Sequence, residues 1–347
     1  MRGIGPWAAV LRGIVIAVPL VLLFVALFSA ADAVFANYAE RLLEWDVDLS
    51  GLIGRTMVAL IVTWLAAGVL GFVARPGDEF AEREGMSAWA RRPRGGTIEV
   101  VTVLAALNAV FLAFVILQAT YLFGGQDTLA ATGLIYAEYA RRGFFELLAV
   151  AFVVAALVLA TESFVRTRTL AYRAALIGLV LMTLVVLASA FLRLRLYQDA
   201  YGWTELRFYV LAAIIWLAIG AVMAVGTILA NRSGWLLHGM VALSMVFGLA
   251  FNIIGPARFI AEQNVNRALK RTETTGSLRF DEIYLASLGS DAVPEALRGF
   301  ADLPLPPAVS ERILADLAEA SGLNDPQNDA WQAWNWSREN ARERLGR

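Results

Sequence analysis

The sequence contains no cysteine, one histidine (His238) and one lysine (Lys270, among 29 basic residues), and only 17% of its 347 residues carry charge. Without cysteine the chain builds no disulfide, iron–sulfur or thiolate zinc site, and with one histidine it is a poor host for haem. No cofactor and no metal site are expected. Nor does one sign of charge dominate: 29 basic residues face 30 acidic ones, a net charge of −1, so the basic footprint of a nucleic-acid binder is missing. The near-absence of lysine beside abundant arginine reads as coding bias. No P-loop, zincin helix, Rossmann glycine signature or hydrolase elbow occurs.

What is abundant is apolar surface. Hydrophobic residues make up 59% of the chain and the mean hydropathy is +0.62, well above a soluble domain. A bilayer core of about 30 Å needs roughly 20 apolar residues in a helix that satisfies its own backbone. Seven stretches qualify, near 14–36, 56–74, 100–123, 143–161, 174–192, 208–230 and 235–254. The expected fold is therefore an all-α integral membrane protein of about seven transmembrane helices, with a small helical, water-exposed C-terminal module. We divide it into a polytopic transmembrane domain, 1–256, and a soluble, mainly helical tail, 257–347. In the tail, Val309, Ile313, Leu314 and Leu317 follow Pro307 at helical spacing, and Gly322 stands where a C-terminal cap belongs. A second tail helix is expected from Asp329 to about Leu345, with Trp331, Trp334 and Trp336 either filling a small core or resting at the membrane interface.

The first stretch also has a signal-peptide pattern: Arg2 and Arg12, an apolar run, then Ala31-Asp32-Ala33. We read it as a retained helix, because the apolar run continues through Val34 and Phe35. Arginines near the span ends set the expected orientation. One side has Arg2, Arg12, Arg75, Arg83, Arg91, Arg92, Arg94, Arg166, Arg168, Arg173 and Arg232; the other has Arg41, Arg55, Arg141, Arg142, Arg193, Arg195 and Arg207. The positive-inside rule then puts the N-terminus in the cytoplasm and, after seven spans, the C-terminal tail outside a bacterial inner membrane.

Ionisable groups inside or beside spans cost about 2.5 to 3.5 kcal/mol on insertion scales, so each needs a partner or a purpose. Glu138, Arg142 and Glu146 recur four apart, on one helix face. They make either a structural ion pair or a site in which Arg142 holds an anion and Glu146 exchanges protons. Arg193, Tyr197, Tyr201 and Glu205 are again four apart, a face that Gly202 puts in question. Gln118 and Tyr121 share a face of the third span, and Asn108 is placed as glue between helices. Under the expected orientation, Gln118, Tyr121, Glu138, Arg142, Glu146, Tyr197, Tyr201, Glu205, Arg207, Asn252 and Arg258 all fall at outer span ends and are the candidate ligand-binding residues.

Some of these motifs carry a resemblance. Tyr136-Ala137-Glu138-Tyr139-Ala140-Arg141-Arg142-Gly143-Phe144-Phe145-Glu146-Leu147, Tyr201-Gly202, Thr204-Glu205-Leu206-Arg207, Tyr284-Leu285 and Ser290-Asp291-Ala292-Val293-Pro294 resemble a family of polytopic bacterial membrane proteins catalogued only as a domain of unknown function. The likeness runs over roughly residues 97 to 295. Where that family has Asn-Pro-Asp after the last span, this chain has Gly255-Pro256-Ala257, although Ile260, Ala261, Asn264 and Arg267 fit. The resemblance implies a shared transmembrane fold and no activity, substrate or cofactor.

Three functions compete on the sequence. The first is an outward polar pocket binding an anionic envelope ligand, such as a lipid headgroup or lipid-linked precursor, with Arg142 and Arg207 gripping the anion. No nucleophile and base can be paired, so enzymatic activity is left open. The second is a non-enzymatic scaffold or regulatory subunit that docks a protein partner through the tail. The third is a proton-coupled transporter, which lacks a charged midplane residue or an inverted repeat.

Overall fold

The computed structural model describes residues 6–43, 96–130, 143–165, 167–232, 234–275, 281–302, 306–320 and 336–345. Among these the protein is all-α. The helices are α1 (Pro6–Ala31), α2 (Ala33–Leu43), α3 (Thr97–Ala130), α4 (Phe144–Phe164), α5 (Leu170–Tyr201), α6 (Glu205–Leu229), α7 (Gly234–Ile254), α8 (Pro256–Thr275), α9 (Glu282–Ser287), α10 (Val293–Asp302), α11 (Pro307–Ala320) and α12 (Trp336–Leu345), with a 3₁₀ turn at Ser290–Ala292. Six of them, α1 and α3 to α7, are long and apolar enough to cross a membrane. They match six of the seven expected spans; the stretch 56–74 lies outside the described residues, as do Gly322, Trp331 and Trp334.

The chain forms two compact units, Met1–Leu194 with Leu217–Gly239, and Arg195–Trp216 with Met240–Arg347. In the first, α1 packs on α3 and α4. Side chains along α1 and α3 meet in step, Arg12 with Glu99 at 2.7 Å and Phe28 stacked on Phe114 at 4.0 Å, so the two helices run parallel. Phe24, Phe28, Phe111 and Phe114 are buried, and edge-to-face contacts of 5.0 to 5.1 Å join Phe111 to Phe24 and Phe28. Large rings in offset or perpendicular contact fill volume that smaller side chains would leave empty. Asn108 of α3 donates to the carbonyls of Leu104 (2.7 Å) and Ala175 of α5 (2.9 Å), the helix glue its depth suggests.

The first apolar run is not one helix. It stops at Asp32, whose Oδ1 accepts the backbone N–H groups of Val34 (3.0 Å) and Phe35 (3.1 Å) and so starts α2. A carboxylate that takes up orphan amides at a helix start is a strong N-cap, and here it outweighs the continuing apolar pattern.

In the second unit, Ile260, Ala261, Leu285, Val293, Ala296, Ile313, Leu317 and Ala341 form a buried core together with Trp203 and Phe208, which flank the turn between α5 and α6. The tail helices are thus built onto the ends of spanning helices. Helix α8 packs on α10, α9 on α11, and α12 on α10 and the 3₁₀ turn.

Candidate functional site

Each unit holds a polar assembly at a break between helices. In the first unit, Asp32 and Arg193 pair at 2.8 Å with both side chains buried (5% and 3% exposed). Gln118 donates to the same carboxylate oxygen at 3.0 Å and accepts from Ser189 at 3.0 Å. Arg193 also donates to the carbonyl of Ala31 at 2.7 Å. The cation therefore sits at the C-terminus of α1 and the anion at the N-terminus of α2, each where the helix dipole favours it. Gly143, just before α4, packs against the same break. Its φ is +90°, and a Cβ there would collide with the Ala31 backbone.

In the second unit the assembly surrounds Gly202, whose φ of +83° turns the chain between α5 and α6. The predicted face of Arg193, Tyr197, Tyr201 and Glu205 ends there: the first three are on α5 and Glu205 begins α6. The Asn264 side-chain amide pairs with the Trp203 peptide in both directions, accepting from its N–H at 2.7 Å and donating to its carbonyl at 2.9 Å. Arg267 donates to the terminal α5 carbonyls of Asp199 and Ala200, and the Tyr284 hydroxyl accepts the N–H of Glu205 at 2.8 Å. These are the groups that a helix end leaves unpaired, and α8 and α9 supply the partners. Burial pushes the Tyr284 phenol up from its ordinary value, against the opposing pull of the Glu205 N–H.

Two arginines here lie over aromatic rings. The Arg207 guanidinium is 4.1 Å from the Tyr197 ring centroid, and that of Arg195 is 5.9 Å from Trp203. Arg207 also donates to the Gly202 carbonyl, and Tyr197 meets Tyr201 at 4.9 Å. Gln198, 1% exposed, has a side-chain amide with no hydrogen-bond partner among the described residues.

A scan against protein families matches residues 1–299 to a domain of unknown function, DUF4153. The chain belongs to the DUF4153 family. No curated protein and no solved structure matches it. The expectation of a polytopic membrane protein of that class holds, and DUF4153 membership brings no reaction with it.

Of the candidate residues, Tyr197, Tyr201, Glu205 and Arg207 come together at the α5–α6 turn. Arg258 pairs instead with Glu295 at 3.4 Å, which Arg298 also reaches at 3.1 Å. Asn252 is exposed near the end of α7, and Glu146 is half-buried in the first turn of α4. Gln118 is held at both ends by Asp32 and Ser189. The Tyr121 side chain, Glu138 and Arg142 lie outside the described residues. Sequence reasoning missed Asp32 and Ser189 as polar partners of the spans. The available signal was an acid inside an apolar run, which the cleavage-site pattern absorbed.

Proposed function

We propose that this multi-span membrane protein binds an anionic envelope ligand, a lipid headgroup or lipid-linked precursor, at the span ends of its second unit. The observation that carries this reading is the pairing of Arg207 with Tyr197 and of Arg195 with Trp203 where α5 ends and α6 begins. Ends of spanning helices lie at the depth of lipid phosphates, and aromatic residues accumulate at that depth. Arginine presents a planar fork that fits phosphate with two hydrogen bonds, and it stays charged. A ring against one face of the guanidinium holds the fork edge-on to a ligand. In this reading Arg207 and Arg195 grip the anion, Glu205 orients the cations, and Tyr197 and Tyr201 form the wall. With the N-terminus in the cytoplasm of a bacterial inner membrane, this border faces the envelope space.

The test is lipid retention. Protein with Arg195→Ala and Arg207→Ala together is purified in mild detergent, and bound lipid is identified by mass spectrometry. A several-fold loss of anionic lipid, with zwitterionic lipid and a monodisperse elution profile retained, supports the reading. Unchanged anionic lipid in a folded double variant overturns it.

A further inference from the structure

Among the large apolar side chains of α8 to α12 whose exposure is described, two are exposed, Ile283 (79%) and Trp336 (66%). Ile283 stands beside Tyr284, whose hydroxyl holds the N–H of Glu205, the first residue of the apolar span Glu205–Leu229. One tyrosine side chain therefore separates the α9 backbone from the end of a spanning helix. The neighbouring border is itself bare and apolar. Leu206 (58% exposed) and Tyr209 (48%) are in the first turns of α6, and Ile253 (77%) is near the end of α7. Tyr209 and Phe251 join the two helices there, ring centroids 5.8 Å apart.

We propose that α9 lies on the membrane surface and that Ile283 inserts into the lipid interface. An isoleucine left in water at this position forgoes the gain of burial, whereas the boundary between headgroups and acyl chains supplies it. Lipid is the occupant because the Tyr284–Glu205 bond fixes the residue next to Ile283 at the end of a span whose own first turns leave Leu206 and Tyr209 exposed. Leu285 and Leu288, in and just after the same helix, enter the module's core. One side of α9 thus holds the module together while the other meets the bilayer. Among the described residues Trp336 has no such link, its helix joining the core at Ala341, and the proposal rests on Ile283 alone. The interaction is apolar insertion and is independent of arginine binding to a phosphate.

The chain has no cysteine, so single-cysteine labelling needs no prior substitution. Spin labels are placed at Ile283→Cys and at Ser287→Cys, one turn on along the same exposed face. Benchmarks are Leu206→Cys for lipid and Glu311→Cys, exposed on α11, for water. Full-length protein in lipid nanodiscs is then relaxed by oxygen, which concentrates in lipid, and by a nickel chelate, which stays in water. The expected oxygen-to-nickel ratio at Ile283 is several-fold above that at Glu311 and approaches that at Leu206, with Ser287 intermediate. A ratio equal to that at Glu311 overturns the proposal, as does a label screened from both reagents, which would mark a protein contact. Should the Ile283→Cys protein fail to fold, a water-like ratio at Ser287 is equally decisive. In the Arg195→Ala, Arg207→Ala background the Ile283 ratio is unchanged even where anionic lipid is lost, which separates the failure of one reading from that of the other.

Discussion

Asp32 and Arg193, 161 residues apart in the chain, meet at 2.8 Å with almost no exposed surface, and between them they close both ends of an interrupted helix. Removing one partner of a buried pair strands the other charge, at a cost of about 3–5 kcal/mol. Asp32→Ala and Arg193→Ala are each expected to lower the midpoint of thermal unfolding in detergent substantially. The double variant should lose clearly less than the sum of the two, because it strands no charge. Two single variants that unfold like the parent would mean that the pair contributes nothing.

Two glycines separate the cost of backbone geometry from that of helix propensity. Gly143→Ala places a Cβ on a left-handed residue and against the Ala31 backbone, so it should destabilise by more than the roughly 1–2 kcal/mol of the backbone conformation alone. Gly226 lies within α6 and a Cβ there meets nothing within 4 Å, so Gly226→Ala should be neutral or stabilising by up to about 1 kcal/mol. Equal effects of the two substitutions would contradict the geometry.

The clamp at the α5–α6 turn predicts a graded series. Tyr284→Phe removes the acceptor of one helix-end N–H, and leaving such a group unpaired costs about 1–3 kcal/mol. Asn264→Ala removes both bonds to Trp203 and should cost more, with Asn264→Asp between, since it keeps the acceptor and loses the donor. Limited proteolysis in nanodiscs would read the series as progressively faster cleavage after α7. A flat series would show that the tail is held by its apolar core alone.

The raised pKa of Tyr284 has a sign that can be checked. A phenol whose pKa is higher folded than unfolded contributes stability that is complete below the ordinary value of 10.0 and is lost as pH rises through the folded value. The stability difference between parent and Tyr284→Phe should thus hold steady through neutral pH and shrink in alkaline solution. Ultraviolet titration should show one more tyrosine ionising late in the parent than in Tyr284→Phe. Identical titration curves for the folded parent and variant, after allowing for one residue, would count against a buried phenol.

The spans were legible because length and hydropathy are local quantities, and each apolar run from α3 to α7 reports itself. The tail helix from Pro307 was legible for the same reason, through Val309, Ile313 and Leu317. The break at Asp32 was not, since one acid barely moves the average over a long apolar window, and what makes it a cap is the partner at Arg193. Arg193, Tyr197 and Tyr201 were correctly placed on one helix, but Gly202 ends that helix before Glu205. The approach of Asn264, Arg267 and Tyr284 to this turn has no periodic signature, because it joins segments 61 to 79 residues apart. Their motifs pointed to a family without revealing what the residues hold.

The two-way amide bond between Asn264 and Trp203 also orders events in time. Translation delivers the α5–α6 turn some sixty residues before Asn264, and later still comes Tyr284. Through that interval the ends of two spanning helices wait at the bilayer edge with water or lipid for partners, and only the emergence of the tail completes them. A later-made part of the chain therefore finishes an earlier-made hairpin, so a ribosome that stops before Asn264 and Tyr284 leaves an inserted protein with an unfinished turn.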